Sequence, residues 1–136
     1  MPVKSKPKAL DRTPRLPSLK ICGNTVNVRL TPEVTGDRHG IFLGCATSAI
    51  INDNHIELTS YPNASQYIYA IKVAGFFGPR LLIERNCMLG AFTGGIQAVL
   101  DAKWKPNNIL WKACDNASSS PNVITQPPFV LTDNIP

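Results

Sequence analysis

Between about Ile21 and Cys114 the chain passes through short stretches in which apolar and polar residues alternate, with turn residues roughly every 8–12 positions. That rhythm limits the fold more than any other feature. In TVNVRL, Val26, Val28 and Leu30 alternate with Thr25, Asn27 and Arg29, the period of a half-buried strand. HIELTS repeats the alternation from His55. QYIYAIKV sets Tyr67, Tyr69, Ile71 and Val73 on one face and Lys72 on the other. IFLGCATSAII reads as one buried strand ended by the turn NDN, and RLLIER as a short strand. GIQAVLDAKW alternates as a strand, KPNN is a tight turn with Pro106 at its second position, and ILWKAC returns as the second arm of a hairpin. The expected fold is all-β: an antiparallel sandwich or jelly-roll-like barrel of roughly seven to eight short strands, with extended N- and C-terminal arms.

The charges divide the chain more sharply than the apolar residues do. Residues 1–20 hold Lys4, Lys6, Lys8, Arg12, Arg15 and Lys20 against the single acid Asp11, a net of +5. The whole chain is also +5, so everything after Lys20 sums to zero. Of twelve prolines eight lie at the two ends, Pro2, Pro7, Pro14 and Pro17 in the first and Pro121, Pro127, Pro128 and Pro136 in the second. Proline fixes φ and removes a donor, so both ends are expected to be extended. The organisation is a basic arm over 1–20, a β domain over 21–114 and an extended Pro-rich tail over 115–136. In the tail, NVITQ and PFVLT are short extended segments suited to lying along a neighbour, with a disordered terminus as the competing reading.

No run reaches the ~18 apolar residues of a membrane span, and no apolar core follows the basic residues to make a secretory signal. Cys22, Cys45, Cys87 and Cys114 are widely spaced and read as reduced, mostly buried thiols; in an exported chain they would instead form two disulfides, with three pairings open. Asn63 and Asn116 each begin an Asn-Ala-Ser sequon, which matters only in an exported chain.

The residues able to carry chemistry are few. His39 and His55 are the only histidines. Paired imidazoles can act as acid and base in RNA cleavage, with Arg38 or Lys72 steadying the phosphate, but nothing in the spacing requires them to meet. HIE at His55–Glu57 followed by NCML is similar to the zinc deaminase pattern of H-x-E, then P-C-x-x-C. Here Asn86 precedes Cys87 and Gly90 stands where the second cysteine belongs, so a zinc ligand is missing. Cys45 or Cys87 with either histidine would make a Cys–His nucleophile; buried thiols are the simpler reading. GAFTGG lacks the lysine of a phosphate loop, and Gly94 and Gly95 read as turn residues at positive φ. Tyr67 and Tyr69 flank Ile68 like a base-stacking pair, although core packing accounts for them equally well.

A flexible arm of about six positive charges neutralises phosphates without reading bases. Contact with an acidic membrane and a merely solvated terminus are the competing readings, and Pro2 removes the glycine that myristoylation needs. In organisation the chain resembles the small viral capsid proteins: basic arm, short-stranded β domain, low charge, extended tail. The resemblance implies a structural, self-assembling, coat-like protein with no enzymatic activity, cofactor or metal. Its partners would be further copies of itself and, through Lys4, Lys6, Lys8, Arg12, Arg15 and Lys20, nucleic acid, with no membrane contact and a place in a virion or the cytoplasm. The alternatives are a small monomeric or dimeric nucleic-acid-binding domain and a histidine-dependent nuclease.

Overall fold

The computed structural model describes residues 18–31, 33, 36–44, 48–60, 66–74, 79–98, 110–121, 123–124 and 129–132. Thirteen strands and no helix occur among them: β1 (Ser18–Cys22), β2 (Thr25–Val28), β3 (Arg38–Leu43), β4 (Ser48–Asn52), β5 (His55–Leu58), β6 (Ile68–Val73), β7 (Arg80–Glu84), β8 (Cys87–Gly90), β9 (Gly94–Ala98), β10 (Leu110–Cys114), β11 (Ala117–Ser118), β12 (Val123–Ile124) and β13 (Phe129–Thr132). They form three sheets: sheet A in the order β1-β4-β7-β10-β13, sheet B in the order β11-β8-β5-β2, and sheet C in the order β12-β9-β6-β3. Every pairing is parallel. The chain visits sheets A, B and C in turn and then climbs one rung, which makes it a parallel β-helix.

The expected antiparallel sandwich is therefore wrong. Alternation tells which side chains face the core, and it reads identically for parallel and antiparallel partners. Pairing here joins residues a full coil apart, as Ile21 with Ile51, Ile51 with Ile83 and Ile83 with Ala113. The expected hairpin fails for the same reason, since β9 lies in sheet C and β10 in sheet A; the KPNN turn lies outside the described residues. IFLGCATSAII is likewise divided between β3 and β4, in different sheets.

Stacking like on like fills the interior. On sheet A the inward rows are Leu19, Ala49, Leu81, Trp111 and Ile21, Ile51, Ile83, Ala113; on sheet B one row is Val26, Ile56, Met88. Ile51, Ile56, Ile71, Ile83 and Ile96 are wholly buried, each contributing about 1.5–3 kcal/mol by leaving water. β-branched chains suit this packing because their stiff χ1 repeats from rung to rung.

The passage from sheet A to sheet B is a sharp corner of one left-handed residue followed by asparagine. Gly23, Asp53, Arg85 and Asp115 have φ of 67°, 56°, 51° and 55°, and each precedes an Asn: 24, 54, 86 and 116. Asn54 Nδ2 donates to the Ile21 carbonyl at 3.0 Å and to Asn86 Oδ1 at 2.9 Å. Asn86 Nδ2 in turn donates to the Ile51 carbonyl and to Asn116 Oδ1, both at 2.9 Å. Each Oδ1 also accepts the backbone N–H of the asparagine one rung earlier, at 3.1 Å for all three steps. The corner carbonyls and amides thereby find partners although Asn54, Asn86 and Asn116 are buried. Asn116 is thus tied into this ladder, so its sequon is a coincidence of a structural asparagine. Asn63 lies outside the described residues.

Candidate functional site

Outward-facing side chains of a β-helix line up in rows across the strands, so each sheet presents a distinct surface. Sheet C carries most of the polar-aromatic chemistry. At Gly40 and Ala70 the ladder between β3 and β6 skips a pair. A Cβ at Gly40 would lie 2.6 Å from Ile56 Cγ2, so this position faces the core. Ala70 and Ile71 are consecutive and both wholly buried. The irregularity shifts the alternation, and Lys72 emerges on the same side as Tyr69, its Nζ 5.8 Å from the centre of the Tyr69 ring. The expected opposition of Tyr69 and Lys72 is corrected by this local break in period.

His39 sits within the resulting cluster. Its ring stacks on Phe42 (centroids 6.1 Å apart, planes at 27°) and on Tyr69 (5.8 Å, 30°). Its Nδ1 accepts the Tyr69 backbone N–H at 3.1 Å, leaving Nε2 as the N–H donor of the neutral ring. Burial first, and then the Lys72 cation, hold the imidazole below its usual range, with Asp37 pulling the other way. Asp37 Oδ1 accepts the Tyr67 backbone N–H at 2.9 Å, which fixes the entry to β6. Phe42 and Tyr67 remain 59% and 58% exposed, whereas Tyr69 is buried beneath its neighbours. Of the suggested stacking pair, Tyr67 alone offers its ring to a ligand. Phe42, which no sequence motif singles out, is a second exposed ring among the described residues.

Gly94 belongs to the same face. It lies within β9, without the positive φ expected of it, and a Cβ there would come 2.9 Å from the Pro121 carbonyl and 3.0 Å from Tyr69 Cε1. Close approach of the Tyr69 ring, rather than turn geometry, explains this glycine. Gly95 is a strand residue too, its amide donating to the Pro121 carbonyl at 3.0 Å.

The second histidine is elsewhere. His55 is on β5 in sheet B, His39 on β3 in sheet C. His55 Nε2 is 4.0 Å from Glu57 Oε2, and Cys87 is its register partner on β8. The HIE and NCML segments thus lie side by side, but no set of three His, Cys, Asp or Glu residues gathers at metal-binding distance among the described residues. Cys87 is half-buried, Cys114 buried and Cys22 exposed, all as free thiols. The exposure of Cys22 corrects the expectation of buried cysteines at that position, and Cys45 lies outside the described residues. Burial pushes the Cys114 thiol up, away from reactivity.

Sheet A presents a third surface. Its outer side has an apolar row at Ile50 and Leu82, with Leu110 beside it; Leu110 is 57% exposed. Ser48, Ala49, Ile50, Arg80, Leu81, Leu82 and Leu110 line a shallow groove of about 200 Å³. Lys20 of the expected basic arm is an exposed residue of β1 paired with Ile50, and Lys112 pairs with Leu82. Lys4, Lys6, Lys8, Arg12 and Arg15 lie outside the described residues. No described helix is long and apolar enough to cross a membrane. No family model, curated protein or solved structure matches the chain.

Proposed function

We propose that this chain is a structural, self-assembling module without enzymatic activity. Its β-helical coils associate with further copies through the outer face of sheet A, and its basic N-terminal segment contacts nucleic acid or neighbouring copies. The observation that carries the reading is the aliphatic patch of exposed Ile50 and Leu110 with half-buried Leu82 between the strands' outer side chains. Aliphatic side chains grouped on one outward face, at least two of them exposed, are the kind of patch that contacts a partner. Lys20, Lys112 and Arg80 frame the row with positive charge, which disfavours a face-to-face dimer of this surface and favours its contact with a different surface of the next copy. Many copies would turn weak contacts between each basic segment and phosphate into firm attachment.

Size-exclusion chromatography with light scattering tests this reading. The native chain is expected to elute as a multi-copy particle with nucleic-acid absorbance. Leu110→Lys together with Ile50→Lys reduces it to the single-chain mass. Replacing Lys4, Lys6, Lys8, Arg12 and Arg15 by glutamine empties it of absorbance at 260 nm. A native chain that is monomeric at every concentration rejects the assembly.

A further inference from the structure

We infer that the outer face of sheet C is a base-stacking platform for single-stranded nucleic acid, with Phe42 and Tyr67 as the stacking rings and Lys72 as the phosphate-facing cation. The inference rests on the proposed nucleic-acid contact and gives it a second site. Two large rings stand more than half exposed on this face, where burial would be the cheaper fate of such side chains. Between them lies the His39–Tyr69 stack, and Lys72 stands level with Phe42 on the neighbouring strand, its Nζ reaching back over the Tyr69 ring. Phe42 is the register partner of Lys72, so the two exposed rings are separated by roughly 16 Å along the strand direction. Their spacing leaves room for a run of bases rather than a single one.

The floor between the rings is held in one arrangement. His39 is clamped by the Tyr69 amide on one nitrogen and by Phe42 and Tyr69 on its faces. Its other nitrogen remains a donor for a phosphate or base acceptor. Gln97 is the register partner of Lys72 on β9 and adds an amide able to donate and accept. Aromatic rings that stack any base, set beside cations that track phosphate, are the requirements of sequence-tolerant single-strand binding.

Chain continuity supplies the argument for this occupant. β3, which carries His39 and Phe42, is the edge strand of sheet C and belongs to the first coil together with β1 and β2. The segment that holds Lys4, Lys6, Lys8, Arg12 and Arg15 enters that same coil at Ser18. Its phosphate-binding charge is tethered to the end of the molecule where the platform opens, and a tether of that length holds the two at high effective concentration.

Fluorescence anisotropy with a labelled oligothymidylate of twenty nucleotides, and with an abasic oligomer of equal length, tests the platform over a salt series. Three full-length proteins are compared: native, Phe42→Ala/Tyr67→Ala, and the five-glutamine variant of the basic segment. Each lost stacking partner is expected to weaken oligothymidylate binding about 5- to 100-fold, leaving the salt slope and the abasic affinity unchanged. The five-glutamine variant instead flattens the salt slope for both oligomers. A double alanine variant that binds oligothymidylate as tightly as native overturns the platform, even if the five-glutamine variant confirms the charged contact. Equal losses on the abasic oligomer overturn it too, as does retention of an acidic oligosaccharide in preference to the oligonucleotide. Absence of binding by all three proteins removes the nucleic-acid contact itself.

Discussion

The corner between sheets A and B and the outer face of sheet C belong to the same coils, yet they differ in what repeats. At the corner each rung supplies one left-handed residue and one asparagine, and register partners across sheets A and B keep steps of 30 or 32 residues over the first four rungs. On sheet C the step is 30 residues from His39 to Tyr69 and 25 from Tyr69 to Gly94, and the outward residues change from histidine to tyrosine to glycine. The ladder needs identical residues because each asparagine serves as donor to one neighbour and acceptor for the other. An aromatic face has no such requirement, so its composition is free to follow a ligand. Regularity marks what holds the coil, and irregularity marks where it can specialise.

Removing a central rung of the ladder should have the largest effect. Asn86→Ala takes away the acceptor for Asn54 and two donors of its own in a buried site. Unfolding in urea should show a loss of about 3–4 kcal/mol. Asn24 is exposed at the first rung and serves only as donor to Asn54, so Asn24→Ala should cost about 1 kcal/mol or less. Equal losses at the two positions would mean that the ladder does not act through its buried bonds. On sheet C the sensitive position is the break in period. Gly40→Ala would place a methyl group 2.6 Å from Ile56 and 2.7 Å from the Ala70 carbonyl. It should cost about 2 kcal/mol; an unchanged midpoint would show that the backbone there yields freely.

The sequence makes the inward residues legible and hides their partners. Val26, Ile56, Ile71 and Val73 declare themselves by alternation, and all pack in the interior. What alternation cannot show is that Ile21 meets Ile51 rather than a neighbour across a turn. The missing clue was present at every corner: Gly23-Asn24, Asp53-Asn54, Arg85-Asn86 and Asp115-Asn116, each preceded by an apolar residue two places before the left-handed one. Self-similarity at a coil's length announces a solenoid before any strand is assigned, and the varied residue before each Asn masks it. The site was less legible. Tyr67 was visible as a stacking candidate, but Phe42 and Lys72 join it only because the ladder slips at Gly40 and Ala70, which no local pattern reveals. His39 and His55, the only histidines of the sequence, lie on different sheets because their separation is not a multiple of one coil.

Acidification should separate the two regions at smaller scale. His39 has a lowered pKa, so the unfolded chain binds its proton first as pH falls below about 6.5. Native stability is full above that value and declines as pH falls through the folded pKa, where the loss is complete. His39→Gln keeps an acceptor for the Tyr69 amide and removes the titration. Thermal midpoints followed from pH 8 to pH 5 should fall more steeply for the native chain than for the variant. Parallel curves would place the acid sensitivity elsewhere than on sheet C.

The smallest effect is expected at the solvent side of the corner, where Arg85 donates to Asp53 through Nε at 2.8 Å and Nη2 at 3.1 Å. These bonds first, and the nearby charge second, hold the Asp53 carboxyl below its ordinary range. Its contribution is therefore present above the unfolded value of about 3.9 and lost as pH falls through the lower folded value. Both side chains are about half exposed, so water and salt screen most of the pair's attraction. Asp53→Asn is the informative change, because asparagine tolerates the left-handed φ of 56° as readily as aspartate does. At neutral pH and low salt the variant should melt slightly below the native chain, and the difference should narrow as acid protonates Asp53 and close in molar salt. A difference that is the same in molar salt as in low salt would mean that Asp53 acts at the corner through its local geometry rather than through its charge pairing with Arg85.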